Sequence, residues 1–246
     1  MNKGIYQSIL NSKAKKFVLL IDPDRHTESS LSHLSNTIND SATDFIFIGG
    51  SLVSSRLDSA IDIIKKHTRI PVILFPGNLL QLTDKADAVL LLSLISGRNP
   101  DYLIGNHVLA APFLKKSNLE IISTGYILVS DENTSSVEYI SNTKPIPSDK
   151  TDIVIATAMA GEMLGNRMIY LEAGSGAKKR ISCELVSAVK KNISVPLIVG
   201  GGIDTCKDVR DIYLAGADIV VVGNAIENNP DMIRELGEVS NILNMI

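Results

Sequence analysis

Short apolar runs, each closed on its C-terminal side by small or polar residues, set the rhythm of this chain. Residues 17–21 (FVLLI) stop at Asp22-Pro23-Asp24, 45–48 (FIFI) at Gly49-Gly50, and 71–75 (PVILF) at Pro76-Gly77-Asn78. Residues 88–92 (AVLLL) stop at Ser93, 119–122 (LEII) at Ser123-Thr124-Gly125, and 168–171 (MIYL) at Glu172 and the glycines behind it. The last two runs, 195–199 (VPLIV) and 219–222 (IVVV), meet Gly200-Gly201-Gly202 and Gly223-Asn224. Little polar alternation interrupts them, the mark of strands buried on both faces, as in a parallel sheet. Between the runs the spacing turns helical. Leu31, Leu34 and Ile38 share one face, as do Leu57, Ala60, Ile61 and Ile64. Leu185, Val186 and Val189 form a third such face, and Val209, Ile212 and Tyr213 a fourth.

Eight such strands with intervening helices in 246 residues predict the α/β class, as a (β/α)8 or TIM barrel forming a single domain over 1–246. No Gly-x-Gly-x-x-Gly follows the first run, which argues against a dinucleotide-binding sheet. Residues 1–15 read as an N-terminal lead-in. Residues 130–150 are rich in Ser, Thr and Asn, contain Pro145 and Pro147, and read as a polar loop insertion or small β extension on the fifth βα connection. Residues 99–115 carry apolar side chains almost all round a helix. That suits either a buried or oligomer-contact helix, or one wall of a long apolar ligand groove.

Composition narrows the partners. Hydrophobic residues make up 45% and charged residues 21%, as in globular chains. With 24 Lys+Arg against 27 Asp+Glu the net charge is −3, so no basic field exists to hold a nucleic acid, and none is expected as a partner. Cys183 and Cys206 form neither a disulfide framework nor a metal knuckle, in keeping with a reducing, cytoplasmic setting. No unbroken apolar run exceeds five residues. A bilayer span needs roughly 18, so no transmembrane segment is expected. The block at 17–21 ends at once in Asp22, which does not read as a signal peptide.

In a barrel of this kind ligands sit at the C-terminal ends of the strands, where the punctuation lies. The sixth, seventh and eighth runs close with Glu172-Ala173-Gly174-Ser175-Gly176, Gly200-Gly201-Gly202 and Gly223-Asn224-Ala225. Glycines let backbone N–H groups approach an anion closely, so three such turns in succession point to a phosphate clamp. On the opposite reading they merely make tight turns. Asp22 and Asp24, at the end of the first run, suit a hard divalent cation; Asp24 or Thr27 equally suits the cap of the next helix. Ser51, after Gly49-Gly50, is a candidate N-cap or a hydroxyl ligand to the same cation. Glu172, a carboxylate ending an apolar strand beside the phosphate turn, is placed to hold a substrate hydroxyl and accept its proton. His26, His33, His67 and His107 show no metal-ligand spacing, and no Gly-x-Ser-x-Gly elbow or Cys/His pairing supports nucleophilic hydrolysis.

These segments, in this order and spacing, resemble the geranylgeranylglyceryl phosphate synthases. The likeness runs through Asp22-Pro-Asp, Gly49-Gly-Ser51, Tyr170-Leu-Glu-Ala-Gly-Ser-Gly176, Gly200-Gly-Gly-Ile-Asp204 and Gly223-Asn-Ala225, over about residues 15 to 236. The Tyr170–Gly176 stretch is its specific part, and its Ala-Gly-Ser-Gly form is similar to the family's second group, which often assembles beyond a dimer. The resemblance implies a TIM-barrel prenyltransferase of ether-lipid synthesis. It implies Mg2+ on Asp22 and Ser51, and Glu172 with Tyr170 at the reacting hydroxyl. It implies sn-glycerol 1-phosphate held by Tyr170, Leu171, Glu172, Ala173, Gly174, Ser175, Gly176, Gly201, Gly202, Gly223 and Asn224. Its second substrate would be a long-chain prenyl diphosphate whose tail lies along the 100–116 helix, and it implies a homo-oligomer with peripheral membrane contact at most. Short-loop bacterial relatives carry a lysine two residues before the first Asp, where this chain has Leu20, which brings no charge to a phosphate from that side. Three other readings of the late glycine turns stay open: a sugar-phosphate isomerase, an FMN oxidoreductase, and a non-catalytic phospho-ligand-binding barrel.

Overall fold

Eight parallel strands close into a barrel in chain order: β1 (Lys16–Ile21), β2 (Phe45–Ile48), β3 (Val72–Leu74), β4 (Ala88–Leu94), β5 (Glu120–Leu128), β6 (Met168–Glu172), β7 (Leu197–Gly200) and β8 (Ile219–Val222). The last pairs back onto the first, Val220 opposite Phe17. The structure, a computed structural model, describes residues 4–12, 14–54, 57–130 and 134–245. The predicted barrel stands.

Side chains alternate across the barrel wall, and that alternation builds two separate cores. Val18, Phe47, Ile73, Leu90, Tyr170 and Ile198 fill the interior. Leu19, Ile46, Val89, Ile169, Leu171 and Val199 face outward onto the helices. Those helices are α2 (Glu28–Asn39), α3 (Leu57–His67), α4 (Asn106–Lys116), α6 (Thr151–Met163), α7 (Cys183–Lys190), α8 (Cys206–Leu214) and α10 (Met232–Asn244), with α1 (Ile5–Ser12) ahead of the barrel and short α5 (Ser136–Ser141) and α9 (Asn224–Asn228) at its mouth. The four helical faces expected from spacing are all buried. Thr27, Ser182 and Thr205 cap α2, α7 and α8, each accepting a backbone N–H three residues on.

The described part of the lead-in carries α1. Ile5, Tyr6 and Ile9 of α1 join the interior core and close the bottom of the barrel. The Glu120 carboxylate accepts the Ile5 and Tyr6 amides at 2.9 and 3.0 Å, a negative charge where the helix start exposes its N–H groups. The same end is locked by a recurring pair. Asp44, Asp87 and Asp218 each accept one amide near the start of a neighbouring strand at 2.8 Å and a lysine ammonium at 2.7–2.8 Å.

Three features depart from the expectation. No α-helix links β3 to β4; a single 3-10 turn, Leu79–Gln81, takes its place. The fourth and fifth strands run past their apparent stops, to Leu94 and Leu128. Within the 130–150 insertion, whose residues 131–133 lie outside the described ones, Ile146 bridges to Val129 in parallel as a small β extension does, and the addition is a helix, α5, at the barrel mouth.

Candidate active site

A cavity of about 490 Å³ opens at the C-terminal mouth, and Asp22 and Glu172 both line it. Strand parity aims them there. Glu172 follows Tyr170 on the inward face of β6, and Asp22 continues the inward parity of Val18 and Leu20 one residue beyond β1. In register, Tyr126 of β5 stands beside Tyr170, and Leu128 beside Glu172.

Glu172 is 5% exposed, and its Oε1 accepts the Gly174 N–H at 2.7 Å. Burial pushes its carboxyl up to about 7, against the opposing pull of the Gly174 amide and the nearby Tyr170 and Tyr126 hydroxyls. Burial first, and the Glu172 charge next, hold both phenols well above their ordinary value, so they stay protonated donors. The Tyr170 hydroxyl is buried beside that carboxylate, with no aligned hydrogen-bond partner among the described residues. The turns beneath are as tight as glycine allows. Gly201 has φ +85°, and a Cβ there would lie 2.4 Å from Glu172 Oε1.

The opposite wall is acidic and tethered. Asp22 caps the short turn Pro23–Arg25, its Oδ1 accepting the Asp24 amide at 3.1 Å. The Arg25 guanidinium lies 3.5 Å from Asp22 Oδ2 and donates to Glu227 of α9 at 2.7 Å. Asp24 in turn holds Ser54 by its amide and hydroxyl, at 2.7 and 2.9 Å. Ser51 lies six residues before the first residue of α3, so it does not cap that helix. Its loop is pinned by Gln81, 1% exposed, which accepts from the Gly50 and Gly77 amides and donates to the Gly50 carbonyl.

A second, apolar cleft joins the first at Phe75 and Tyr126 and runs along Leu91 and Leu92 of β4 to Tyr102, His107 and Ala110 beside α4. It lies where a helix after β3 would otherwise pack. The rings of Phe75, Tyr126 and Tyr170, with centroids 5.2–6.0 Å apart, stand where polar cavity meets apolar cleft. The helix at 99–115 thus has two faces. Ala110 and Leu114 are buried, while Ile104, Val108 and Leu109 point outward and are 60–69% exposed.

The sequence profile of the PcrB family matches residues 8–240. The chain belongs to that family. A geranylgeranylglyceryl phosphate synthase of Flavobacterium johnsoniae is 50% identical over 229 residues, 92% of this chain and 94% of its own length. One of Chitinophaga pinensis is 49% identical over 245 residues, covering 97% and 96% of the two chains. The crystal structure of (S)-3-O-geranylgeranylglyceryl phosphate synthase from Thermoplasma acidophilum, in complex with sn-glycerol-1-phosphate, superimposes with a TM-score of 0.91 at 32% identity, over 98% of this chain and 99% of that one.

Within this PcrB-family barrel most residues marked in the sequence converge. Asp22, Ser51, Tyr170, Glu172, Ser175, Gly176, Gly201, Gly202, Gly223 and Asn224 line one cavity. Leu171 does not; its odd parity on β6 sends it into the outer core. Ala173 is likewise buried in that core, and the Gly174 amide is spent on Glu172, so neither lines the cavity wall. Sequence reading overlooks Tyr126, because Ser123-Thr124-Gly125 imitates a strand end. The inward alternation Thr124, Tyr126, Leu128 was the available signal. It also leaves Arg25, Lys178 and Glu227 without roles, though all three line the cavity.

Proposed function

We propose that the chain joins the C3 hydroxyl of sn-glycerol 1-phosphate to geranylgeranyl diphosphate, forming an ether and releasing diphosphate. One observation carries this reading: Asp22 and Glu172 share a polar cavity that continues into an apolar cleft. A compact phosphorylated alcohol, an anionic leaving group and a long apolar tail each find a matching wall.

The glycine turns after β6, β7 and β8 and the Asn224 amide suit the acceptor's phosphate. Glu172 orients the acceptor hydroxyl, and the Tyr170 hydroxyl donates to a substrate oxygen. The hydroxyl oxygen bonds to the allylic carbon, the carbon–diphosphate bond breaks, and the hydroxyl proton passes to Glu172. A carboxyl that titrates near neutrality is well matched to accept it. Positioning both substrates supplies much of the acceleration.

The donor set on the Asp22 wall fits Mg2+. The Asp22 carboxylate and Ser51 hydroxyl are hard oxygen ligands, and no cluster of three His, Cys, Asp or Glu occurs among the described residues. That combination suits an ion that keeps several waters and takes substrate phosphates rather than a closed protein cage. When bound, such an ion neutralises the leaving diphosphate. The outward apolar residues of α4 support self-association into a homo-oligomer, which light scattering reads. No helix of the described residues is long and apolar enough to cross a membrane.

The test is incubation of the chain with sn-glycerol 1-phosphate, Mg2+ and prenyl diphosphates of graded length, with mass analysis of the product. An ether of the C20 chain with glycerol phosphate is the expected result. A folded chain that releases diphosphate without forming any ether would overturn the reading.

A further inference from the structure

We propose that Arg25 is the residue that receives the diphosphate of the prenyl donor, with Glu227 as the positioning residue that holds its guanidinium. This assignment rests on the reading of the cavity as a prenyltransferase site.

Among the described residues that line the cavity, the acids are Asp22, Glu172, Asp204 and Glu227, and the cations are Arg25 and Lys178. Two anions must enter, a diphosphate and a phosphate monoester. The two cations are set apart. Lys178 lies in the connection from β6 to α7, just beyond the glycine turn of β6, whereas Arg25 follows β1, with β7 and β8 between them in the barrel. Each anion therefore has one cation on its own wall. On the wall of Asp22 that cation is Arg25, since the inward residue before Asp22 is the uncharged Leu20.

Geometry then makes Arg25 a receiver rather than a surface charge. Its Nη1 donates to Glu227 Oε2 at 2.7 Å, and its Nε stands 3.5 Å from Asp22 Oδ2. That second separation is longer than a hydrogen bond, so Asp22 is not sequestered by the arginine. Nη2 has no protein partner among the described residues. The Arg25 side chain is 49% exposed, while that of Glu227 is only 16% exposed. One end of the guanidinium is thus anchored to a largely buried acid, and the half-exposed side chain lines the cavity. A planar fork of N–H donors matches adjacent phosphate oxygens, which a point charge does not. An anion held next to Asp22 by a divalent ion would lie within reach of that fork.

The test is binding of inorganic diphosphate to the full chain in the presence of Mg2+, by calorimetry, beside separate KM values for the two substrates. Arg25→Ala, shown to be folded by its melting transition, should weaken diphosphate binding at least tenfold and raise KM for geranylgeranyl diphosphate by a similar factor. KM for sn-glycerol 1-phosphate should stay within twofold. Arg25→Lys, which keeps the charge and loses the fork, should recover part of the loss, and Glu227→Gln should show a smaller loss of the same kind. Unchanged diphosphate binding in folded Arg25→Ala overturns the assignment, as does an equal rise in both KM values. Calorimetry needs no turnover, so the two readings fail separately. A chain that binds diphosphate through Arg25 and forms no ether counts against the proposed reaction, and one that forms the ether with diphosphate binding indifferent to Arg25 counts against this assignment alone.

Discussion

The side of the barrel after β6, β7 and β8 and the side after β2, β3 and β4 solve opposite problems on one scaffold. On the late side, room for a small anion comes from removing side chains: the turns are glycine, and Gly201 fits only because no Cβ stands between it and Glu172. On the early side, room for a long apolar group comes from removing a helix. The turn Leu79–Gln81 replaces it, and the faces of β4 and α4 that it would cover line a cleft instead. Omitting a helix leaves loop amides without partners, and the buried Gln81 side chain supplies them at Gly50 and Gly77. A polar site and an apolar site thus differ less in their strands than in what is subtracted around them.

The largest expected effect breaks the polar side at its centre. Glu172→Gln should lower kcat by about 10²- to 10⁴-fold, the range for loss of a general base, with KM for either substrate changed little. In the parent, kcat/KM should rise about tenfold per pH unit below about 7 and level off above it, because only the ionised carboxylate of the free enzyme accepts the proton. Stability should move the other way. Between the ordinary carboxyl value of 4.5 and about 7, the unfolded chain has lost this proton while the folded chain keeps it. Folding stability from Glu172 therefore falls as pH rises through that window, by about 3 kcal/mol, and is level above it. The Gln variant escapes this and should be the more stable protein at pH 8, with the gap closing toward pH 4.5. Denaturant midpoints at the two pH values read it. A variant equally active, or one less stable at pH 8 than at pH 5 relative to the parent, would remove Glu172 from its role.

The apolar side should break independently. Ala110, 5% exposed, meets the cleft from α4. Ala110→Phe should block two or three methylenes of a C20 tail, and at about 0.8 kcal/mol for each buried methylene KM for the C20 diphosphate should rise about 30-fold. A C10 diphosphate should be affected only a few-fold, and KM for sn-glycerol 1-phosphate not at all. Competition between chain lengths, followed by mass analysis, measures the shift. Equal losses for short and long donors would show that the tail lies elsewhere.

How much of this is legible in the residues themselves depends on which physical signal each feature leaves. Parallel strands buried on both faces leave continuous apolar runs, so all eight strands and their order can be read. Strand ends are harder where polar residues satisfy themselves. Thr124 is fully buried in the middle of β5 with its hydroxyl bonded to the Ile122 carbonyl at 3.1 Å, and Gly125 lies under Ile95 and Ile169 because a Cβ would meet them within about 3 Å. Both imitate a turn, and Tyr126 is lost behind them. The site residues Asp22 and Glu172 announce themselves because a carboxylate at an apolar strand end is costly without a purpose, whereas Tyr170 is marked only by its place in the family motif. Leu171, by contrast, sits within the same motif but on the other face, and only strand parity separates it. The absent helix after β3 leaves no positive signal, since residues 76–87 read as turns either way. Arg25 is invisible as a partner of Glu227 because they are far apart in sequence.

The smallest effect sharpens how the late side handles its anion. Helix starts commonly bind phosphates through free N–H groups, and α7 and α8 both begin near the glycine turns. Their first turns are already engaged, however: Ser182 accepts the Leu185 amide at 3.2 Å and Thr205 the Asp208 amide at 3.1 Å. If the anion is held by the turns and not by these helix starts, Ser182→Ala should cost only the cap. That is about 1 kcal/mol of stability, seen as a modest drop in Tm, with KM for sn-glycerol 1-phosphate unchanged. A severalfold rise in that KM at unchanged Tm would move the anion from the glycine turns onto α7. Because the cap lies behind the turn rather than in it, stability and binding should separate here, whereas in the turn itself they cannot.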